Sequence, residues 1–139
     1  MREILFRAKR TDNKEWIEGS YIKSVVAASP FGYITPSYPT EPTQIYTVTL
    51  GQWTGVYDKN GKKIFDGDII SIMFETDGVD GFAGYSWYET AEVVFSEEKH
   101  AWIIVFNEDG EEMYLNEFDK VDDVVVIANI YDEPKSTNN

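Results

Sequence analysis

The chain's side chains able to move a proton, attack a carbon or hold a metal are unevenly supplied: 25 Asp and Glu, one His and no Cys in 139 residues. Without Cys there is no thiol nucleophile and no thiolate zinc site. His100 stands beside Glu98 and Lys99 between two apolar runs, so a triad would need both its nucleophile and its orienting carboxylate from distant segments. An exposed turn histidine is the simpler reading. Asp58, Asn60, Asp66 and Asp68 offer hard oxygen donors, but Gly61 follows Asn60 directly and no Glu falls at the bidentate position of a calcium loop. Turn capping accounts for all four. The pairs Glu97-Glu98, Glu111-Glu112 and Asp122-Asp123 are adjacent, so on a strand their carboxylates point to opposite faces and form no dyad. No glycine loop opens a helix able to cradle a phosphate. The expectation is a protein that is not an enzyme and uses no cofactor or metal.

Charge divides the chain more sharply than it characterises the whole. Residues 1–65 carry nine Lys/Arg against six Asp/Glu, whereas residues 66–139 carry three against nineteen, within a net charge of −13. Duplex binding depends on cations that neutralise phosphates, so the second half should repel nucleic acid and attract a basic surface. An acidic surface that merely maintains solubility is the bland alternative. Five basic residues near the start, Arg2, Arg7, Lys9, Arg10 and Lys14, make only a thin patch for direct nucleic-acid binding. The longest apolar run, Ala101 to Phe106, is far shorter than the roughly 20 residues of a membrane helix. With no signal peptide apparent, a cytoplasmic protein in a host cell is expected.

The elements that must position these groups read as strands between reversals. Asp58-Lys59-Asn60-Gly61 combines an Asp that caps its own turn with a Gly suited to positive φ, the chemistry of a bulged hairpin. Asp66-Gly67 marks a second reversal. Residues 1–10, Glu15 to Glu18 and Tyr21 to Val26 read as a meander broken at Gly19-Ser20, and Gln44 to Leu50 is dense in β-formers. Between them, Pro30, Pro36, Pro39 and Pro42 predict an irregular loop or edge-strand excursion over residues 28–42, either a recognition surface or a cover for the core. Ile69 to Phe74, Glu92 to Phe95, Ala101 to Phe106, Glu111 to Leu115 and Val124 to Tyr131 are further strands. The loop expected over residues 75–89 carries Phe82, Tyr85, Trp87 and Tyr88, which form either a protein-binding surface or a hydrophobic lid.

Gln52-Trp53-Thr54-Gly55, with Asp58-Lys59-Asn60-Gly61-Lys62-Lys63-Ile64-Phe65-Asp66-Gly67-Asp68-Ile69, resembles the signature of the YopX family of phage and prophage proteins. The opening Arg2-Glu3-Ile4-Leu5-Phe6-Arg7-Ala8, Ala91-Glu92-Val93-Val94-Phe95 and the closing Ile127-Ala128-Asn129-Ile130-Tyr131 agree with it. Trp53 and Ala128 depart from the pattern, a smaller aromatic and a Gly being usual there. The resemblance implies a small, β-rich, phage-associated protein whose biochemical role is unassigned, and it carries no catalytic residues. Gly55, Asp58, Asn60, Gly61, Gly67 and Asp68 are its structural turn residues.

These readings combine into a mainly β protein of antiparallel sheets. An N-terminal β-meander subdomain (1–63), with the Pro/Tyr-rich loop, packs on a C-terminal SH3-like small barrel (64–132), and 133–139 form a disordered tail. Its expected role is that of a noncatalytic accessory protein acting through protein binding or self-association as a homo-oligomer. The alternative is an acidic nucleic-acid mimic that occupies a host DNA-binding protein.

Overall fold

Alternation of apolar and polar side chains is realised as β structure throughout. The computed structural model describes residues 4–23, 29–36, 41–79, 81–117 and 123–132, which hold eleven strands, two short 3-10 turns and no α-helix. Arg2, the end of the expected third strand (24–26), the prolyl-aromatic residues Tyr38 and Pro39, and the expected tail 133–139 lie outside the described residues. The chain divides into two compact units, residues 1–55 and 56–139.

The first unit contains β1 (Phe6–Lys9), β2 (Trp16–Ile22), β3 (Phe31–Thr35), β4 (Thr43–Tyr46) and the start of β5 (Gly51–Tyr57), in the order β4-β3-β2-β1-β5. Ala8, Ile34 and Ile45 are fully buried among Phe6, Ile17, Tyr21 and Leu50. An isolated bridge between Arg10 and Ile45 draws β4 back towards the end of β1, so the sheet curls.

Three local expectations fail here. Gly19 does not break the chain but lies inside β2, because a Cβ there would sit 2.1 Å from the Thr35 carbonyl oxygen. The curl demands that approach, and only Gly permits it. Residues 31–35, expected as an irregular loop or edge-strand excursion, form an interior strand between β2 and β4, since Pro30 and Pro36 flank β3 without removing any donor from it. The expected strand 44–50 ends at Tyr46. The Thr49 hydroxyl donates to the Tyr46 carbonyl (2.7 Å) and accepts the Lys9 N–H (2.9 Å), supporting a 3-10 turn over Thr47–Thr49.

In the second unit, β6 (Lys63–Phe65) adjoins β5 and is followed by an antiparallel sheet of five strands. These are β7 (Asp68–Glu75), β8 (Ser86–Ser96), β9 (Ala101–Phe106), β10 (Glu112–Tyr114) and β11 (Val124–Asn129), in the order β10-β9-β8-β7-β11. Ile70, Ile72, Ala91, Val93, Ile104, Phe106, Val124 and Val126 share the buried face, as the period of two requires. Full burial of each isoleucine contributes about 1.5–3 kcal/mol. β9 is an interior strand, with β8 at the centre of the sheet.

The expected small barrel is not closed. Edge strands β10 and β11 are not paired with each other among the described residues. β10 has three residues, and the chain then leaves the edge through the 3-10 turn Leu115–Glu117, which buries Leu115.

Candidate functional site

The two turns of the signature consume their own acids. Asp58 is 3% exposed, yet its carboxylate is fully engaged. Oδ1 accepts the N–H of Asn60 (2.8 Å) and of Lys62 (2.9 Å), and Oδ2 accepts the N–H of Val126 in β11 (3.0 Å). Burial alone would push the Asp58 carboxyl up, but the Val126, Lys62 and Asn60 donors outweigh it and hold it below the usual carboxylate range. Gly61 adopts φ +80°, closing the hairpin as its sequence requires. This contact ties the hairpin turn to β11 within the second unit.

At the second turn, Asp68 Oδ2 accepts the Phe65 N–H (2.8 Å) and Oδ1 accepts the Asn129 side-chain N–H (3.0 Å). Gly67 donates to the Val93 carbonyl (2.8 Å) and accepts from Ile130 (2.9 Å), so this turn joins β8 to the end of β11. Asp66 is different: burial and the nearby Glu92 and Asp68 charges raise its carboxyl, and nothing compensates fully. Ala128 lies where the β11 register shifts, outside the positive-φ region, so a side chain fits there. Trp53 is buried. No group of three acidic or histidine side chains converges among the described residues. His100 is exposed in the β8–β9 turn with φ 52°.

The aromatic segment is placed differently from expectation. Trp87 and Tyr88 are not in a loop but in β8, opposite Phe74 and Met73 of β7. Beyond them the hairpin continues: Thr76 N–H donates to the Tyr85 carbonyl (2.9 Å), and Phe82 N–H to the Val79 carbonyl (2.9 Å). Gly84 and Gly78 admit this closure, for a Cβ on Gly84 would meet the Thr76 carbonyl oxygen at 2.0 Å. The result is an arm of two strands with a short tip.

Alternation separates the four rings. Trp87 stacks on Phe74 (5.7 Å between centroids), Phe74 meets Phe106 (6.0 Å) and Tyr85 meets Trp87 (5.5 Å), so an aromatic row runs from the core to the surface. Trp87 Nε1–H donates to Glu89 (3.0 Å), fixing the indole. Tyr88 points to the opposite face with Met73, and Phe82 sits at the tip. Phe82, Tyr88 and Tyr85 are 80%, 70% and 68% exposed, and Trp87 37%. The lid reading therefore does not describe them. Phe74, the inner support of the row, and Val79, a second apolar residue at the tip, were missed. Their signal was the symmetry of Phe74 with Trp87, and of Thr76 with Tyr85, about one hairpin centre.

Three of the basic residues near the start, Arg7, Lys9 and Arg10, are engaged locally. Arg7 is buried with its guanidinium 4.3 Å from the Trp16 ring centre, Lys9 lies over the same ring, and Arg10 holds Asp12 through two hydrogen bonds.

Fold and site together define a small, mainly β protein of two antiparallel sheets in which Asp58 and Asp68 are structural and an arm exposes aromatic side chains. The family model described as YopX protein matches residues 5–136, and the chain belongs to the YopX family. No curated protein matches it. Among the described residues, no helix is long and apolar enough to cross a membrane.

Proposed function

We propose that this YopX-family protein is a noncatalytic phage or prophage accessory factor of the host cytoplasm that binds another protein through the β7–β8 arm. One observation carries the reading: four apolar side chains, Val79, Phe82, Tyr85 and Tyr88, each more than 60% exposed, project from a single ordered hairpin. Rings held on strands lose little entropy on contact, which is why aromatic residues dominate binding hot spots. An SH3-like analogy is supported by the five-stranded sheet, whose fifth strand, β11, lies beside its first, β7, with the 3-10 turn Leu115–Glu117 between its fourth and fifth. In that analogy the arm is the first hairpin, at the mouth of an opened barrel.

The test compares the native chain with a Phe82→Ser, Tyr85→Ser, Tyr88→Ser variant in capture from host lysate. A protein retained by the native chain and by a Tyr57→Ser control, but lost by the triple variant, supports the reading. Equal retention by all three removes it. Light scattering at low and high salt separates self-association, which would show as a dimer or larger species abolished by the same three changes.

A second reading has its own observation. Residues 56–139 carry twenty Asp/Glu against six Lys/Arg, a charge density suited to imitating nucleic acid. Retention of nucleic-acid enzymes that salt releases and the triple variant preserves would favour that decoy over the arm.

A further inference from the structure

Among the described residues, the arm leaves the outer edge of β8 open. β9 pairs with β8 only from Ala91 onward, and the Asn107 N–H reaches back to the Thr90 carbonyl (3.0 Å), so among the described residues Ser86 to Glu89 have β7 on one side and no strand on the other. On β7, pairing with β11 stops at Ile72. Because Thr90 directs its carbonyl away from β7, residues Tyr88 and Ser86, two and four places back, direct their backbone N–H and C=O the same way. Edges of this kind template another strand unless a charge, a proline or a bulge blocks them. Of Ser86 to Glu89 only Glu89 carries one of these, and its carboxylate accepts the Trp87 indole N–H on the face opposite Tyr88.

Charge then selects what can be added. From residue 64 to residue 98 the chain has nine Asp/Glu and no Lys, Arg or His. Pairing of two arms about a two-fold axis would set these carboxylates against their own copies, which is unfavourable. The face carrying Tyr88 and Met73 continues into Ser86 and Glu75, beside a depression of about 380 Å³ lined by Glu75, Asp77, Gly78, Gly84 and Ser86. Side chains two apart on an added strand would fall on Tyr88 and on this depression in turn.

Resting on the arm as the docking element, we propose that the β8 edge of the arm takes up an extended basic segment of a partner protein by strand addition. An apolar side chain of that segment lies against Tyr88, and a Lys or Arg two residues away faces Glu75 and Asp77. Main-chain hydrogen bonds to Tyr88 and Ser86 give affinity, and the alternation of apolar and basic side chains gives specificity.

The probe is a short capped peptide of alternating Val and Arg, titrated by fluorescence anisotropy against the full chain. Controls are a peptide of the same composition with its Val and Arg in separate blocks, and one of alternating Val and Glu. The alternating basic peptide should bind at least about tenfold tighter than either control. Ser86→Pro removes an N–H that β7 does not use and should lower affinity by about tenfold with the melting temperature kept. The Glu75→Lys, Asp77→Lys variant should prefer the Val/Glu peptide, a swap that serves if the proline unfolds the arm. Equal binding of the block and alternating peptides, or no swap, overturns strand addition. If that happens while the serine variants still lose the protein captured from lysate, the arm remains the docking element and only the mode fails. If they keep that protein, both proposals fall. A dimer seen by light scattering and abolished by Ser86→Pro would replace the basic segment with a second copy and also overturn the proposal.

Discussion

Two hairpins, β5–β6 and the β7–β8 arm, begin from similar turn sequences and end in opposite surroundings. The β5–β6 hairpin has Asp58, Asn60 and Gly61 at its turn, and the β7–β8 arm has Asp77, Gly78, Gly81 and Gly84 at its tip. In the first, every oxygen of the key carboxylate meets a backbone N–H and one of those donors comes from β11. In the second, Asp77 lines an open depression and the rings face solvent. The difference lies in the donors that the rest of the fold brings near, and not in the turn residues themselves. A carboxylate ringed by N–H groups fastens a fold, whereas one left facing solvent contributes little to it.

The largest effect that would break this comparison is at Asp58. Asp58→Ala removes three charge-assisted hydrogen bonds and strands the buried Val126 N–H, so a loss of about 3–5 kcal/mol is expected in urea unfolding. The matching change in the arm, Asp77→Ala, should leave stability within about 0.5 kcal/mol. If the two cost the same, the contrast fails.

Acid should sharpen it. The folded Asp58 carboxyl lies below its unfolded value, so its stabilising contribution is complete above the usual carboxylate range and is lost as pH falls through the lowered folded value. Asp58→Asn should flatten that acid limb of the melting curve.

Gly84→Ala comes next. Its Cβ would collide with the Thr76 carbonyl, so the arm should open, seen as faster amide exchange at Thr76, Tyr85 and Phe82 while the sheet stays protected. The smallest effect is at Asp66, whose folded carboxyl is raised. Its charge therefore costs stability above that raised value, and the cost disappears as pH falls through it. Asp66→Asn should raise the melting temperature slightly at neutral pH, with the gain gone in acid.

How much of this was legible follows the range of the interactions. The Asp58-Lys59-Asn60-Gly61 turn could be read because its cap and its glycine act within four residues. Gly19 misled because its reason lies at Thr35, on a strand that the prolines had concealed. Thr47–Thr49 misled because hydroxyl bonding to Tyr46 competes with a ladder that β-propensity favours. The four rings were found as a group, yet their division between two faces needed the hairpin's centre, and Gly78, Gly81 and Gly84 made several centres equally acceptable. Closure of the sheet depends on where the chain goes after Leu115, which no local pattern records.

The bond from Asp58 to Val126 spans 68 residues. On a ribosome the hairpin therefore emerges well before its last donor exists, and the free carboxylate stays hydrated in the nascent chain. β7 meanwhile shows a bare edge until β11 is synthesised and docks. Emergence of β11 is then the committing event for the second unit, and chains cut short before Val124 should be the ones that chaperones retain.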